Sequence, residues 1–353
     1  MRLLSTVLAL SALLVAGCSR RDPAPSAAAP APAAPSPRPL RIGVSACLLG
    51  EEVRYDGGHR RDRWLTDTLG PFAEFVPVCP EVELGLGVPR PTIRLEQDGA
   101  GGLRLVEPSS RADLTDRMAR YAERRTKALS REDLDGFVLK KNSPSCGMER
   151  VKVWTAKGMP ARRDGRGLFA GALLAGMPLL PVEEEGRLGD ARLRDNFVER
   201  LFAGRRAREA LGGRWTVGDL VRFHTGEKLL LMAHDVEAYR RLGRLVAGAK
   251  GRPREEVRAE YLAGYMTALA RIATVRRHAN VLEHMAGYFK DVLDAEGKAE
   301  LHGLLADHRR GLVPLVVPLT LLRHLVRLHR VEYLAGQRYL DPHPKELMLR
   351  NHV

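Results

Sequence analysis

The chain has 353 residues, 44% of them hydrophobic, and a formal net charge of +14. That length and apolar content suffice for two ordinary domains with their own cores. Its 4 cysteines include no CxxC pair, which excludes the common zinc-ribbon and thioredoxin-like arrangements. The charge is uneven. Residues 41–190 carry 24 Lys/Arg against 23 Asp/Glu, residues 191–353 carry 29 against 19, and ten of the 11 histidines lie in the second part. Two chemically different halves are expected.

MRLLSTVLALSALLVAGC opens with Arg2 and an apolar run too short for a comfortable transmembrane helix, then ends at Val15-Ala16-Gly17-Cys18. Residues 1–18 read as a signal peptide with a lipobox-like cleavage site. The pattern resembles a bacterial lipoprotein, in which an acylated Cys18 anchors the chain to a membrane. Residues 19–40 form a Pro/Ala-rich tether, extended and unable to bury anything. The alternative is a cytoplasmic protein whose start codon lies further downstream. Arg20-Arg21 follow the apolar run instead of preceding it, so twin-arginine export is not indicated.

LRIGVSAC (residues 40–47) is a β-branched apolar run ending in Cys47, and FAEFVPVC (residues 72–79) is a second, ending in Cys79. IRLEQDGAGGLRLV predicts a β-hairpin with its turn at DGAGG. RADLTDRMARYAERRTKAL carries Leu114, Met118, Ala122 and Leu129 near helical spacing. Phe137-Val138-Leu139 is a third strand, stopping shortly before Cys146; GLFAGALLAG is a helix and PLLPV (178–182) a fourth strand. Alternation of strands and helices predicts an α/β fold with a parallel sheet and a hairpin insertion. Beyond the acidic EEEGRLGD (183–190) and a connecting helix around residues 196–206, every segment reads as helix. Val236, Tyr239, Leu242 and Val246 share one face, and Pro318 suits a first turn.

Cys47, Cys79 and Cys146 each follow a predicted strand, and in open parallel sheets ligands collect at that edge. Being odd in number, they cannot all be used by disulfides. Four readings stand: inert core thiols, a Cys47–Cys79 disulfide, a zinc site completed by a residue such as His59, or an iron–sulfur cluster on three thiolates with one iron open.

VSACLLGEEVRYDGG, VCPEVELGLGVPRP and LKKNSPSCG, in that order over residues 41 to about 185, resemble the 2-thiouracil desulfurase family. The resemblance implies a Rossmann-like domain with a 4Fe–4S cluster on Cys47, Cys79 and Cys146. It also implies a catalytic acid, placed at Glu81 with Glu83 as the rival, and a catalytic serine at Ser143. The implied reaction replaces the sulfur of a small thiolated, thiouracil-like compound by oxygen. Gly50, Gly57 and Gly58 are read as letting backbone approach a bulky cofactor. Asp56 is read as a turn former, Lys140 and Lys141 as charge beside the thiolates or a solvated pair, and Arg90 as a structural hydrogen bonder or substrate contact.

RFHTGEKLLLMAHDVEAYRRLGRLVA and YLDPHPKELMLRN resemble the YbgA-like domain that accompanies this desulfurase-type domain. The iron–sulfur domain is set at 41–205, expected to fold alone with its ligands, and the YbgA-like domain at 206–353. His224, His234 and His278 are candidates to gather into a site, against each being satisfied singly. The excess positive charge suggests weak polyanion binding. The rival function is a basic helical module for nucleic acid or an anionic surface, with the cysteine domain as a metal or redox sensor.

Overall fold

A computed structural model describes residues 38–99 and 102–352. The signal-like segment, Cys18 and the tether as far as residue 37 lie outside the described residues. The first part runs β1 (Leu40–Ser45), β2 (Ala73–Val78), the single turn α1 (Pro80–Glu83), β3 (Arg94–Gln97), β4 (Leu103–Val106), α2 (Thr115–Leu129), β5 (Gly136–Leu139), β6 (Val151–Trp154), β7 (Pro160–Gly165), α3 (Leu168–Gly176) and β8 (Val182–Glu184). The second part is helical: α4 (Ala191–Leu211), α5 (Val217–His234), α6 (Val236–Ala247), α7 (Arg254–Leu269), α8 (Val275–Ala286), α9 (Ala295–Arg309), α10 (Val316–Leu328) and α11 (Glu332–Ala335).

β1 is apolar along most of its length because it is an inner strand, paired in parallel with β2 on one side and β5 on the other. The sheet order is β2-β1-β5-β8, all parallel. The chain steps outward from β1 to β2 and later returns to the opposite side as β5. β1 is therefore the place where the order reverses. This is the expected α/β architecture, with the fourth strand at Val182–Glu184, just after the PLLPV run.

The expected hairpin is present as the antiparallel pair β3–β4, but it is half of something larger. β6 pairs in parallel with β3 and β7 in antiparallel with β6, giving a second four-stranded sheet ordered β4-β3-β6-β7. VKVW and PARRDG carry Lys152, Arg162, Arg163 and Asp164, and β7 is exposed along most of its length. A strand with so little apolar surface leaves no periodicity to read. Packed with these strands, α2 buries Met118, Tyr121, Ala122 and Leu129 in a core shared with Phe169 and Leu173 of α3.

Helix starts follow local side-chain chemistry. Asp190 accepts from the N–H groups of Arg192 and Leu193, Thr216 and Asp219 form a capping box, and Asp235 accepts from Glu237 and Ala238. The buried face of α6 consists of Ala238, Leu242, Leu245 and Val246; Tyr239, expected there, is half-buried. The expected connecting helix is the middle of α4, so the 205/206 boundary falls inside a continuous helix.

That helix carries contacts from both parts. Asp135, wholly buried, accepts from the Arg41 N–H at 2.7 Å and from the guanidinium groups of Arg205 and Arg208. Phe197, Val198 and Leu201 pack with Leu40, Ile42 and Val44 of β1, and Leu347 and Leu349 from the chain's last residues join the same cluster. Glu199, on the same helix, meets His234 of α5 and Arg350, the latter at 3.0 Å. The two ring nitrogens of His234 face a carboxylate and the Arg271 carbonyl, so the imidazole is held as imidazolium. Burial alone would raise the Glu199 carboxyl, yet the His234 charge and hydrogen bond, with Arg350, hold it well below its usual range. Burial alone would lower His234, and Glu199 raises it.

Two outcomes are expected. Leu347→Ala and Leu349→Ala should each cost about 2–5 kcal/mol in denaturant unfolding, the usual loss for emptying a core leucine site. Glu199, depressed, stabilises the fold above its unfolded value of about 4.3 and loses that contribution as pH falls; His234, raised, contributes below about 6.5 and loses it as pH climbs. Unfolding midpoints should therefore plateau between those pH values and fall on both sides, and Glu199→Gln should flatten the acid limb.

Candidate active site

The parallel ladder decides where the three cysteines go. Ser45, the last residue of β1, lies opposite Val78, the last of β2, while Val44 lies opposite Val138 of β5. Cys47 sits in the 3-10 turn immediately after β1, Cys79 is the first residue after β2, and Cys146 lies in the loop after β5. All three line one cavity of about 430 Å³ at the carboxyl edge of the sheet, together with Glu81 and Ser143. None is in a disulfide; Cys47 and Cys146 are buried and Cys79 half-buried. The expected thiol positions, acid and serine are thus brought together. His59 is exposed and outside the cavity lining, its Nδ1 accepting from the Arg61 N–H at 3.2 Å.

The two candidate carboxylates are told apart by their partners. Glu81 Oε2 accepts from Arg90 Nε at 3.0 Å and from its terminal nitrogen at 2.6 Å. Arg90 is itself anchored on the carbonyls of Val53 (3.0 Å) and Gly87 (2.9 Å). Glu81 Oε1 accepts from Ser145 Oγ at 2.7 Å, and Ser145 Oγ lies 3.0 Å from Ser143 Oγ. Glu83 is turned elsewhere: it takes the Cys79 N–H at 3.1 Å, the Tyr121 hydroxyl at 2.8 Å and Arg125 at 3.2 Å, and it does not line the cavity.

KKNSPSCGM folds into a tight turn around one oxygen. Ser143 Oγ accepts from the N–H of Cys146 at 3.1 Å and of Ser145 at 3.3 Å, and the Ser143 carbonyl accepts from Gly147 at 2.8 Å. The turn is backed by the start of α3. A Cβ on Gly167 would lie 2.4 Å from the Ser145 carbonyl oxygen, so only glycine lets the two segments approach this closely. Gly50 and Gly57 adopt φ of +102° and +74°, a backbone conformation that favours glycine in turns. Asp56 caps that turn, accepting from Gly58 at 3.2 Å.

Burial pushes the Cys47 thiol up to about 11 against the opposing charges of Lys140 and Arg54. Burial also raises Cys79 and Cys146, and the charge of Cys79 raises both Cys47 and Cys146 further. Three thiols in electrostatic contact, ringed by Lys140, Arg54 and Arg90, are a donor set that a cationic group would convert to thiolates. Among the described residues, no group of three His, Cys, Asp or Glu lies close enough together to hold a single ion. The cavity the three thiols line measures about 430 Å³.

The chain is 32% identical over 161 residues to the uncharacterized protein YbgA of Escherichia coli K12, covering 45% of this chain and 95% of that protein. It is 30% identical over 129 residues to the uncharacterized protein YbbK of Bacillus subtilis 168, covering 35% and 84%. The 2-thiouracil desulfurase family model matches residues 42–185, and that of a protein family of unknown function, DUF1722, matches residues 228–344. The chain belongs to the 2-thiouracil desulfurase family, fused to a YbgA-like domain. A solved chain described as the 4Fe-4S-dependent thiouracil desulfidase TudS is 34% identical, covers 42% of this chain and 93% of its own, and superposes with a TM-score of 0.34.

Within the desulfurase-family domain, sequence reading missed Ser145 and the clamp of Arg90 on Glu81. Both stood in the quoted motifs, as SPSC and VPRP, but nothing local marks which serine meets a carboxylate 64 residues away. Of the three candidate histidines of the YbgA-like part, His234 and His278 line one small cavity with Asp195 and Glu199, and His224 does not join them. His224 pairs with Tyr261, His278 with Tyr339, and His234 with Glu199. On the metal-free chain, iodoacetamide should modify half-buried Cys79 first and Cys146 last, read by peptide mass spectrometry.

Proposed function

We propose that this chain hydrolyses a small thiocarbonyl compound of the thiolated-pyrimidine class, replacing sulfur by oxygen. Cys47, Cys79 and Cys146 would hold a 4Fe–4S cluster, and Glu81 and Ser143 would handle protons. The observation that carries the reading is the meeting of three unpaired thiols with a Glu–Ser–Ser chain in one cavity, inside a domain of the 2-thiouracil desulfurase family. Three thiolates on a four-iron cluster leave one iron without a protein ligand, a Lewis acid matched to a soft thiocarbonyl sulfur.

The protein's own groups supply the proton path. Arg90 occupies Glu81 Oε2, which leaves Oε1 to receive the Ser145 proton. Ser143 donates in turn to Ser145 Oγ across 3.0 Å. The N–H groups of Ser145 and Cys146, both directed at Ser143 Oγ, stabilise negative charge there and so ease passage of the Ser143 proton to Ser145, with a proton of the attacking water taking its place. The water oxygen bonds to the thiocarbonyl carbon, the carbon–sulfur bond breaks, and the two water protons leave with sulfur as hydrogen sulfide. The relay holds one of them between attack and departure. No oxidant or reductant is consumed.

General acid–base help of this kind is worth roughly 10²–10⁴-fold. Glu81→Gln and Ser143→Ala should lower sulfide release from 2-thiouracil by about that factor while iron content and the visible spectrum of the anaerobic protein stay intact. Any of the three Cys→Ala changes should remove iron and turnover together. Undiminished activity in Glu81→Gln and Ser143→Ala would remove the relay from the reaction; a wild type that releases no sulfide from any thiolated base would remove the reaction.

A further inference from the structure

The helical part carries a second concavity that the desulfurase reading does not use. An open groove of about 660 Å³ runs between α5 and α6. Val217, Val221 and the Tyr239 ring form its apolar wall, and Lys228, Arg244 and Lys250 stand at its edge. No carboxylate lines it, and among the described residues no ion pair engages those three cations; Arg240, at the same rim, is tied to Glu237 at 2.9 Å.

Against the groove lies His224, 3% exposed. Its Nδ1 is 3.1 Å from the Tyr261 hydroxyl, while its Nε2 has no partner. The nearest gap is at Gly243 on α6, where a Cβ would sit 3.7 Å from that nitrogen. Burial, with the nearby charge of Lys228, pushes the imidazole down to about 4, so it is neutral at pH 7. Among the described residues the Tyr261 hydroxyl has no other acceptor, so its hydrogen is satisfied only by donating to Nδ1, which places the ring hydrogen on Nε2. A buried donor without an acceptor calls for an explanation, and one beside three unpaired cations is complementary to an anion.

We infer that this groove is a binding site for the phosphate of a small phosphate ester, with Val217, Val221 and Tyr239 taking the organic part. Its volume falls within the range of small-molecule sites, roughly 300–1,000 Å³. A long polyanion would instead spread its contacts over the basic surface without needing a buried N–H or an apolar wall. The site is independent of the cysteine cavity and stands whether or not the chain desulfurises thiouracil.

Calorimetry on the full chain with AMP, adenosine, inorganic pyrophosphate and an oligouridylate lacking terminal phosphates tests it. AMP and pyrophosphate should bind and adenosine should not. The double change Lys228→Gln with Arg244→Gln should weaken AMP by about tenfold or more, as expected for losing charge-assisted phosphate contacts. Gly243→Leu, which places a side chain in the groove on a helix that tolerates leucine, should do the same with the far-ultraviolet circular dichroism unchanged. AMP binding no tighter than adenosine would overturn the site, as would AMP affinity indifferent to both variants. Strongly salt-dependent oligouridylate binding that survives Gly243→Leu, without AMP binding, would assign the charge to a polyanion surface.

Discussion

The parallel pairing of β1 with both β2 and β5 is the constraint on which the rest of the site depends. Parallel strands in register end on the same edge, so the residues that follow them emerge side by side however far apart they lie in the chain. Cys47, Cys79 and Cys146 are separated by long stretches of sequence, yet each needs only a few residues of turn to reach the common cavity. A slip of one residue in any of the three strands would swap its side chains between the two faces and carry its thiol away from the others. β1 and β5 are buried on both faces, so their register is held by fit: the Phe137 ring fills the space over Gly43, where a Cβ would lie 2.2 Å from it.

Within that frame, the electrostatics of the cavity follow from one ion pair. Arg90 is nearly buried and satisfied on two carbonyls, so it is not free to move; Glu81 is fixed against it and offers only one oxygen inward. That oxygen orders Ser145, Ser145 orders Ser143, and the turn holding the serines also holds Cys146. The acid, the hydroxyls and one thiol therefore form a single hydrogen-bonded unit. Disturbing one member reaches the others, as expected of buried polar networks in low dielectric.

The YbgA-like part is joined to this unit through α4. Asp135, just before β5, is held by two arginines of that helix, and leucines from the chain's end complete the core under β1. The rear of the sheet that carries the thiols is thus covered by α4 and by the chain's last residues, both outside the two family-model ranges, 42–185 and 228–344. The buried Glu199, bonded to His234 and Arg350, fastens α5 and the chain's end to the same helix. Breaking such a buried charged cluster at one member is costly because it strands the others without partners.

Much of this was legible in residues 40–185 and 215–350. The apolar runs before Cys47, Cys79 and Cys146 announced strands, the helical spacing of Met118, Ala122 and Leu129 announced α2, and that of Leu242 and Val246 announced α6. Those are local signals, set by side-chain periodicity and by the few residues around a cap. The strand at PARRDG was not legible, because an edge strand owes its conformation to backbone pairing with β6 and carries little apolar pattern of its own; VKVW was missed although Val151 and Val153 alternate with Lys152, four residues being too short a run to mark a strand. Nor could composition distinguish Glu81 from Glu83, or Ser143 from Ser145: the members of each pair are alike and two residues apart. Their difference is one of direction, decided by Arg90 on one side and by Tyr121 and Arg125 on the other. By itself the sequence determined most of the strands and helices, β6 and β7 excepted, and which side chains stand at their ends. Which of those side chains meet was decided by the tertiary structure alone, because a hydrogen bond between distant residues exists only once the backbone has brought donor and acceptor within reach.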